Sequence, residues 1–318
     1  MPLPRLPAKA AYLHLNNPTR RNALSLPVLR DLHSQLTTLL TSPKTGRLLL
    51  LPLFHPSVLD QLESGNTNLT WLTDSSQWAQ ERANLPNVIV LRSEGPVFSS
   101  GHDLKALAGA SHDEVKETFS VCAEVMSLIR HSPAIVVCPI QGMATAAGFQ
   151  LAMTTDFPIA LAGTKFCLPG MGIGLPCTSP STAVSRRVPS SLAYRMFASA
   201  ETTTAEELCG AVDVVSVPEN AEEDGSAATT VFENRVSEVV RTLAERTPGQ
   251  PQAIGKWAFW TQLSIGQSAT EGAPGAGDSY ADAAKWAGRA MALHAKSSDA
   301  KEGISAFLEK RPPTWKTC

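Results

Sequence analysis

Two short stretches rich in small residues stand where a strand gives way to a helix, and both suit the binding of negative charge. The first is Gly95-Pro96-Val97-Phe98-Ser99-Ser100-Gly101-His102-Asp103-Leu104, which follows the apolar run Val88-Ile89-Val90-Leu91. The second is Gln141-Gly142-Met143-Ala144-Thr145-Ala146-Ala147-Gly148-Phe149-Gln150, which follows Ala134-Ile135-Val136-Val137. A strand-to-helix turn with little side-chain bulk exposes backbone N–H groups that can bind a developing negative charge. Taken alone, each turn reads equally well as tight strand–helix packing. The imidazole of His102 leaves an acid–base role open, while Asp103 is placed to cap the helix that follows.

The elements that must position these turns can be read around them. Ala11-Tyr12-Leu13-His14-Leu15 alternates like a half-buried strand. Leu29, Leu32, Leu36 and Leu39 give the next helix an apolar stripe, which Ser42-Pro43 ends. The continuous apolar runs at 88–91 and 134–137 predict strands covered on both faces. Helical periodicity fills 115–129 and returns over 149–153, and 157–161 is again strand. Strands alternating with helices predict an α/β core. Residues 43–85 read as an insertion, with a possible strand at 48–54 and a loop at 63–66; long segments of this sort lie on the surface and are functional or mobile. From about Thr204 the chain reads as mostly helical, with a Gly/Pro/Ala loop at 272–277 before a helix over about 280–295. The expected division is a core at 1–203, carrying the insertion, and a helical region at 204–318. No internal repeat is visible.

Composition narrows the classes. The 318 residues are 43% hydrophobic and 18% charged, with a formal net charge of −2. That balance offers no bulk attraction to nucleic acid or an anionic membrane. No apolar run reaches the roughly 18–20 residues that span a bilayer. The six cysteines are scattered, without a C-x-x-C pair or a ligand cluster, as expected for free thiols in a reducing compartment.

Together and in this order, the two turns resemble the oxyanion-hole loops of the crotonase (enoyl-CoA hydratase/isomerase) superfamily. Leu15-Asn16-Asn17-Pro18 with Asn22-Ala23-Leu24 at the start matches the family too, as does Glu302-Gly303-Ile304-Ser305-Ala306-Phe307-Leu308-Glu309-Lys310-Arg311 at the end. The resemblance spans nearly the whole chain, apart from 43–85 and smaller insertions near Asn220 and Gly272. It implies a crotonase-like spiral of ββα units closed by a C-terminal helical trimerisation region, assembled as a trimer or hexamer. Trp286, Met291 and Leu293 then fall in the subunit-contact region. It also implies an acyl-CoA thioester substrate, with no cofactor beyond the coenzyme A (CoA) of that substrate, and a role in fatty acyl-CoA metabolism. The backbone N–H groups of His102 and Ala147 would receive the thioester oxygen. Relatives more often carry glycine at the second position, so Ala147 serves there only with an ordinary backbone angle.

Family hydratases activate water and protonate the α-carbon with two glutamates. Their positions fall at Gln150 and Gly170 here, and neither side chain transfers a proton. Between Val125 and Ala200 the only acidic residue is Asp156, at a helix–strand junction where its expected role is structural. The aspartate of dienoyl-CoA isomerases falls at Thr178. What remains near the expected acyl pocket is Gln150, Cys177, Thr178, Ser179 and the His102 side chain. Three readings stay open: an enolate-stabilising lyase or isomerase, a non-catalytic thioester-binding or regulatory protein, and a hydratase of weak or atypical activity. Carboxylates placed at both 150 and 170 are expected to raise hydration.

For the CoA tail, the resemblance points to Arg20, Arg21 and Ala23, and to Phe307 and Lys310 near the nucleotide end. Relatives suggest a mitochondrial location, with the cytoplasm as alternative. The first strand leaves little room for a cleavable leader, and Lys316-Thr317-Cys318 is not a peroxisomal signal. If Lys310 meets a CoA phosphate, Lys310→Ala weakens CoA-thioester binding about 2–5-fold at low salt and less at high salt. A dissociation constant unchanged at low ionic strength removes Lys310 from the site.

Overall fold

Strand pairing in the computed structural model is best followed along the chain, whose described residues are 3–65, 68–208, 210–217, 226–265, 288–289 and 298–317. The strands are β1 (Ala10–Leu15), β2 (Val88–Ser93), β3 (Ile135–Ile140), β4 (Met143–Thr145), β5 (Phe157–Leu161), β6 (Lys165–Cys167), β7 (Thr202–Thr204) and β8 (Asp213–Val215). The helices are α1 (Leu26–Leu40), α2 (Val58–Ser64), α3 (Thr70–Thr73), α4 (Ser75–Glu81), α5 (Leu104–Gly109) and α6 (His112–Arg130). They continue with α7 (Ala147–Thr154), α8 (Thr178–Val184), α9 (Ser190–Ser199), α10 (Ser226–Arg241), α11 (Gly249–Ser264) and a last helix, Ser298–Leu308. Two compact units emerge: residues 1–39, 88–130 and 135–241, and residues 40–87, 131–134 and 242–318.

The first unit holds a wholly parallel sheet in the order β1-β2-β3-β5-β8 and a second sheet in the order β4-β6-β7. From β3 to β6 successive strands alternate between the sheets, and Ser99 bridges Ala144 so that the segment after β2 joins the second sheet as well. This is the expected α/β arrangement of ββα turns. All six residues of β3 are buried, which is why its sequence is apolar without alternation. In α1 the buried stripe is Leu29, Leu32, Leu36 and Leu40, not Leu39. At about 100° per residue, positions 29, 36 and 40 fall within roughly 40° of one another, and position 39 lies beside Leu32 at the margin of the stripe.

Within the region after Thr204, which the sequence reads as mostly helical, β8 completes the parallel sheet by pairing Ile159 with Asp213 and Leu161 with Val215. The first unit thus runs to residue 241, past the division expected at 203/204. Residues 48–54 form no strand, only the isolated bridge of Leu48 to Thr41.

In the second unit, residues 43–85 are a source of core. Leu49, Leu51, Leu59, Leu62, Trp71, Leu72 and Trp78 pack with Ile254 and Trp257 of α11. Trp71 and Trp78 stack at 5.8 Å, and Trp257 donates its ring N–H to the Leu53 carbonyl at 3.1 Å. Arg82 is buried with its guanidinium 4.9 Å from the Trp78 ring, and burial lowers its pKa to about 9. The loop expected at 272–277, the helix expected over about 280–295 (288–289 apart) and the insertion near Asn220 lie outside the described residues. So do Trp286, Met291 and Leu293.

Candidate functional site

Asn22 ties the start of the chain to the first turn. Its side chain is fully buried. It donates to the carbonyls of Glu94 (2.7 Å) and Val97 (3.0 Å) and accepts from the Asn17 N–H (3.0 Å). Arg21 and Asn22 both hold left-handed backbones, with φ of 51° and 52°. The loop is then stitched to them: Ser100 N–H to the Arg21 carbonyl (3.0 Å), Ser99 Oγ to the Asn22 carbonyl (2.8 Å) and Leu24 N–H to the Gly101 carbonyl (2.8 Å). Asp103 caps α5 by accepting the Ala106 N–H at 3.1 Å, as expected, and pairs with Arg20 at 3.3 Å. Arg21 is exposed, and Ala23 is buried within the motif.

The second turn meets the first at backbone distance. Thr145 N–H donates to the Ser99 carbonyl at 3.0 Å. A Cβ on Gly101, whose φ is +81°, would stand 2.9 Å from the Thr145 carbonyl oxygen and 3.3 Å from the Ala147 nitrogen. Only glycine permits that approach. Ala146 carries the unusual conformation of this turn, φ 48° and ψ −121°, which costs of order 1–3 kcal/mol for a non-glycine residue. Ala147 is not among the residues with positive φ and opens α7, so the condition on an alanine at this position is met. Among the described residues, neither the His102 nor the Ala147 backbone N–H donates to a protein acceptor.

A cavity of about 280 Å³ adjoins the turns, lined by Ser100, His102 and Ala146 on one side and by Gly170, Leu175 and Cys177–Ser179 on the other. Leu104, Leu107 and Phe119 add apolar wall. His102 Nδ1 lies 3.2 Å from the Leu24 carbonyl. A carbonyl only accepts, so this nitrogen carries the proton and Nε2 holds the lone pair. Nε2 is buried without a partner among the described residues, and the ring packs edge-on to Phe119 at 4.8 Å. Burial pushes the His102 pKa below its ordinary value, against a smaller upward pull from the bond to Leu24. The imidazole is therefore neutral at pH 7.

Residues 150 and 170, where the resemblance expects glutamates, have different surroundings. Gln150 is buried and absent from the cavity wall. Its Oε1 accepts from Ser179 Oγ at 3.3 Å, and its Nε2 faces Thr182 Oγ1 at 3.5 Å. Gly170 is hemmed in: a Cβ there would stand 2.0 Å from the Leu175 carbonyl oxygen and 2.8 Å from Cys177 Sγ. The Gly170 N–H donates to Cys177 Sγ at 3.3 Å. Burial raises the Cys177 pKa, chiefly by desolvation, which keeps the thiol protonated and unreactive. Asp156 is structural, accepting the Val136 N–H at 2.8 Å. Cys122, Cys138, Cys167 and Cys177 are free and buried; Cys209 and Cys318 lie outside the described residues.

Lys310 belongs to the second unit, exposed and with φ 53°. Phe307 falls in the last helix, and its side chain is outside the described set. Sequence reasoning missed Leu104, Leu107, Phe119 and Leu175 as pocket residues. The Gly-rich run from Gly170 to Gly174 was the available signal that a tight turn stands beside the cavity.

A model of the enoyl-CoA hydratase/isomerase family matches residues 72–247. The chain is 32% identical over 304 residues to rat (Rattus norvegicus) "Enoyl-CoA hydratase domain-containing protein 3, mitochondrial", covering 95% of this chain and 79% of the relative. The crystal structure of human enoyl coenzyme A hydratase domain-containing protein 3 superposes with a TM-score of 0.69 at 30% identity, covering 98% of each chain. An enoyl-CoA hydratase from Mycobacterium smegmatis gives 0.68 at 27% identity over the full length of both.

Placing carboxylates at both 150 and 170 is thus not open to simple substitution, contrary to the expectation from sequence. Gly170→Ala is expected to destabilise the fold by about 1–3 kcal/mol through overpacking, and Gly170→Glu by more, in denaturant melts. Gln150→Glu should cost far less, because two hydroxyls already face that side chain. A Gly170→Ala variant as stable as the parent contradicts the packing argument.

Proposed function

This chain belongs to the enoyl-CoA hydratase/isomerase family, and from that premise we propose that it binds an acyl-CoA thioester and polarises its carbonyl without hydrating it. The observation that carries this is the pair of N–H groups, of His102 and Ala147, that lack protein acceptors among the described residues, on two interlocked turns beside a cavity whose described lining holds no carboxylate. Two aimed donors at a dry site stabilise an enolate or oxyanion, and losing one such donor elsewhere costs about 3–4 kcal/mol. Hydration needs in addition a base for water and an acid for the α-carbon. Among the described lining residues, the titratable groups are a neutral imidazole and a protonated thiol.

Two outcomes of carbonyl polarisation fit the remaining groups. Isomerisation or decarboxylation draws on enolate stabilisation more than on an activated water, and makes the chain a lyase or isomerase of fatty acyl-CoA metabolism. Thioester binding without turnover makes it a regulatory protein. Spent Gln150 and crowded Gly170 favour the second over a hydratase of weak activity. Arg20, Arg21 and Ala23 are proposed for the pantetheine and phosphate side, and Phe307 and Lys310 for the nucleotide. A trimer or hexamer and a mitochondrial location follow from the resemblance; light scattering that reports a monomer at micromolar concentration counts against that assembly.

Equilibrium binding of an acyl-CoA panel, with crotonyl-CoA hydration measured in parallel, tests the reading. Binding with hydration at background is the expected result. Hydration well above background contradicts the argument from the missing carboxylates, and failure to bind any CoA thioester contradicts the function itself.

A further inference from the structure

A second cavity lies within the first unit and shares no lining residue with the one beside the turns. Its volume is about 470 Å³, inside the usual range of roughly 300–1,000 Å³ for small-molecule sites. Part of its lining comes from the carboxyl ends of neighbouring parallel strands: Arg92 and Ser93 close β2, Gln141 follows β3 and Leu161 closes β5. In α/β sheets, ligands bind in crevices outside these strand ends. Phe232 and Glu233 enter from α10. Leu3 and Pro4 line the cavity as well, and the Tyr12 hydroxyl fixes them by donating to the Pro4 carbonyl at 2.6 Å.

Two acceptors in this lining are unspent. Arg92 Nη2 donates to Glu233 Oε1, whereas Glu233 Oε2 is buried without a partner among the described residues. A buried carboxylate oxygen left so is costly and calls for a donor. Gln141 commits its amide N–H groups to the Ser93 carbonyl (3.1 Å) and Ser93 Oγ (2.9 Å). Its Oε1 accepts from none of the described residues. The charges of the described lining are Arg92 against Glu94 and Glu233, so one negative charge is uncompensated. Leu161 and the buried Phe232 supply apolar surface beside these acceptors.

We propose that this second cavity binds a small organic ammonium ion, which donates to Glu233 Oε2 and Gln141 Oε1 and lays its apolar body against Phe232 and Leu161. Hydrogen bonding and charge agree on that class. An ammonium group donates and never accepts, and its charge balances the carboxylate that Arg92 leaves over. Bonds of this kind between charged groups are about twice as strong as neutral ones. A bare metal ion has no comparable fit. Among the described residues no three metal-ligating side chains cluster, and the apolar part of the lining gives such an ion no oxygen. The inference is independent of the thioester reading, because the two cavities have no residue in common.

The test is calorimetric titration of the full chain, at neutral pH and low salt, with 2-phenylethylammonium, 2-phenylethanol and 3-phenylpropanoate. These probes share an aromatic body and differ in charge. The parent is expected to bind the ammonium at least about tenfold more tightly than the alcohol, one decade of affinity, and the carboxylate more weakly than either. Glu233→Gln keeps an oxygen for Arg92 and should weaken the ammonium at least about fivefold, the scale of a lost charged hydrogen bond in a partly exposed setting. Thr229 lines the cavity from an exposed position on α10, so Thr229→Trp obstructs the cavity without entering the core and should weaken ammonium and alcohol alike. Equal binding of ammonium and alcohol by the parent overturns the inference, as does the absence of ammonium binding at millimolar concentration. An ammonium affinity unchanged in either folded variant places the ligand elsewhere and overturns it too.

Discussion

The backbone approach of residues 99–101 to residues 145–147 is the constraint on which the site depends. Thr145 N–H reaches the Ser99 carbonyl at 3.0 Å, and no Cβ fits on Gly101. Each side needs its own anchor. Asn22 and its neighbours hold the first loop from upstream, and the Ala146 N–H holds the second by donating to the Cys167 carbonyl at 3.0 Å. The bridge of Ser99 to Ala144 in the second sheet then brings the loops that follow β2 and β4 side by side. The unfavourable backbone of Ala146 is kept in place by these contacts rather than by any local preference of alanine.

What this arrangement can do chemically follows from what surrounds it. Backbone N–H groups cannot titrate, so a site built on them keeps its polarising power at any pH where the fold survives. Proton transfer is a separate endowment and needs side chains of suitable pKa. Here burial acts against it twice, lowering the affinity of His102 for a proton and raising the hold of Cys177 on its own. The proposed activity is therefore carbonyl polarisation separated from water activation, in a pocket whose remaining surface is mostly apolar.

Much of the site was legible in the sequence because it depends on small residues at strand-to-helix turns, which leave a compositional trace. The buried parallel strands were equally visible, since burial on both faces demands an unbroken apolar run, as in β3. Three things were not legible. β8 is three residues long and cannot show a period. The helices of residues 58–81 span seven, four and seven residues, too short for an amphipathic stripe, so a segment rich in core residues read as an insertion with a loop. The ββα repetition is one of backbone geometry without sequence identity between turns. The crowding at Gly170 comes from residues five to seven positions later and appears only once the turn is closed.

The central claim, that the thioester carbonyl is polarised by two backbone donors, is tested most directly by infrared difference spectroscopy of bound butanoyl-CoA carrying a ¹³C-labelled thioester carbonyl. Hydrogen bonds from fixed donors in a dry pocket are stronger than those from water, so the stretch should move to lower wavenumber on binding. A carbonyl frequency at or above that of the free thioester in water, in a complex shown to be saturated, would contradict the account.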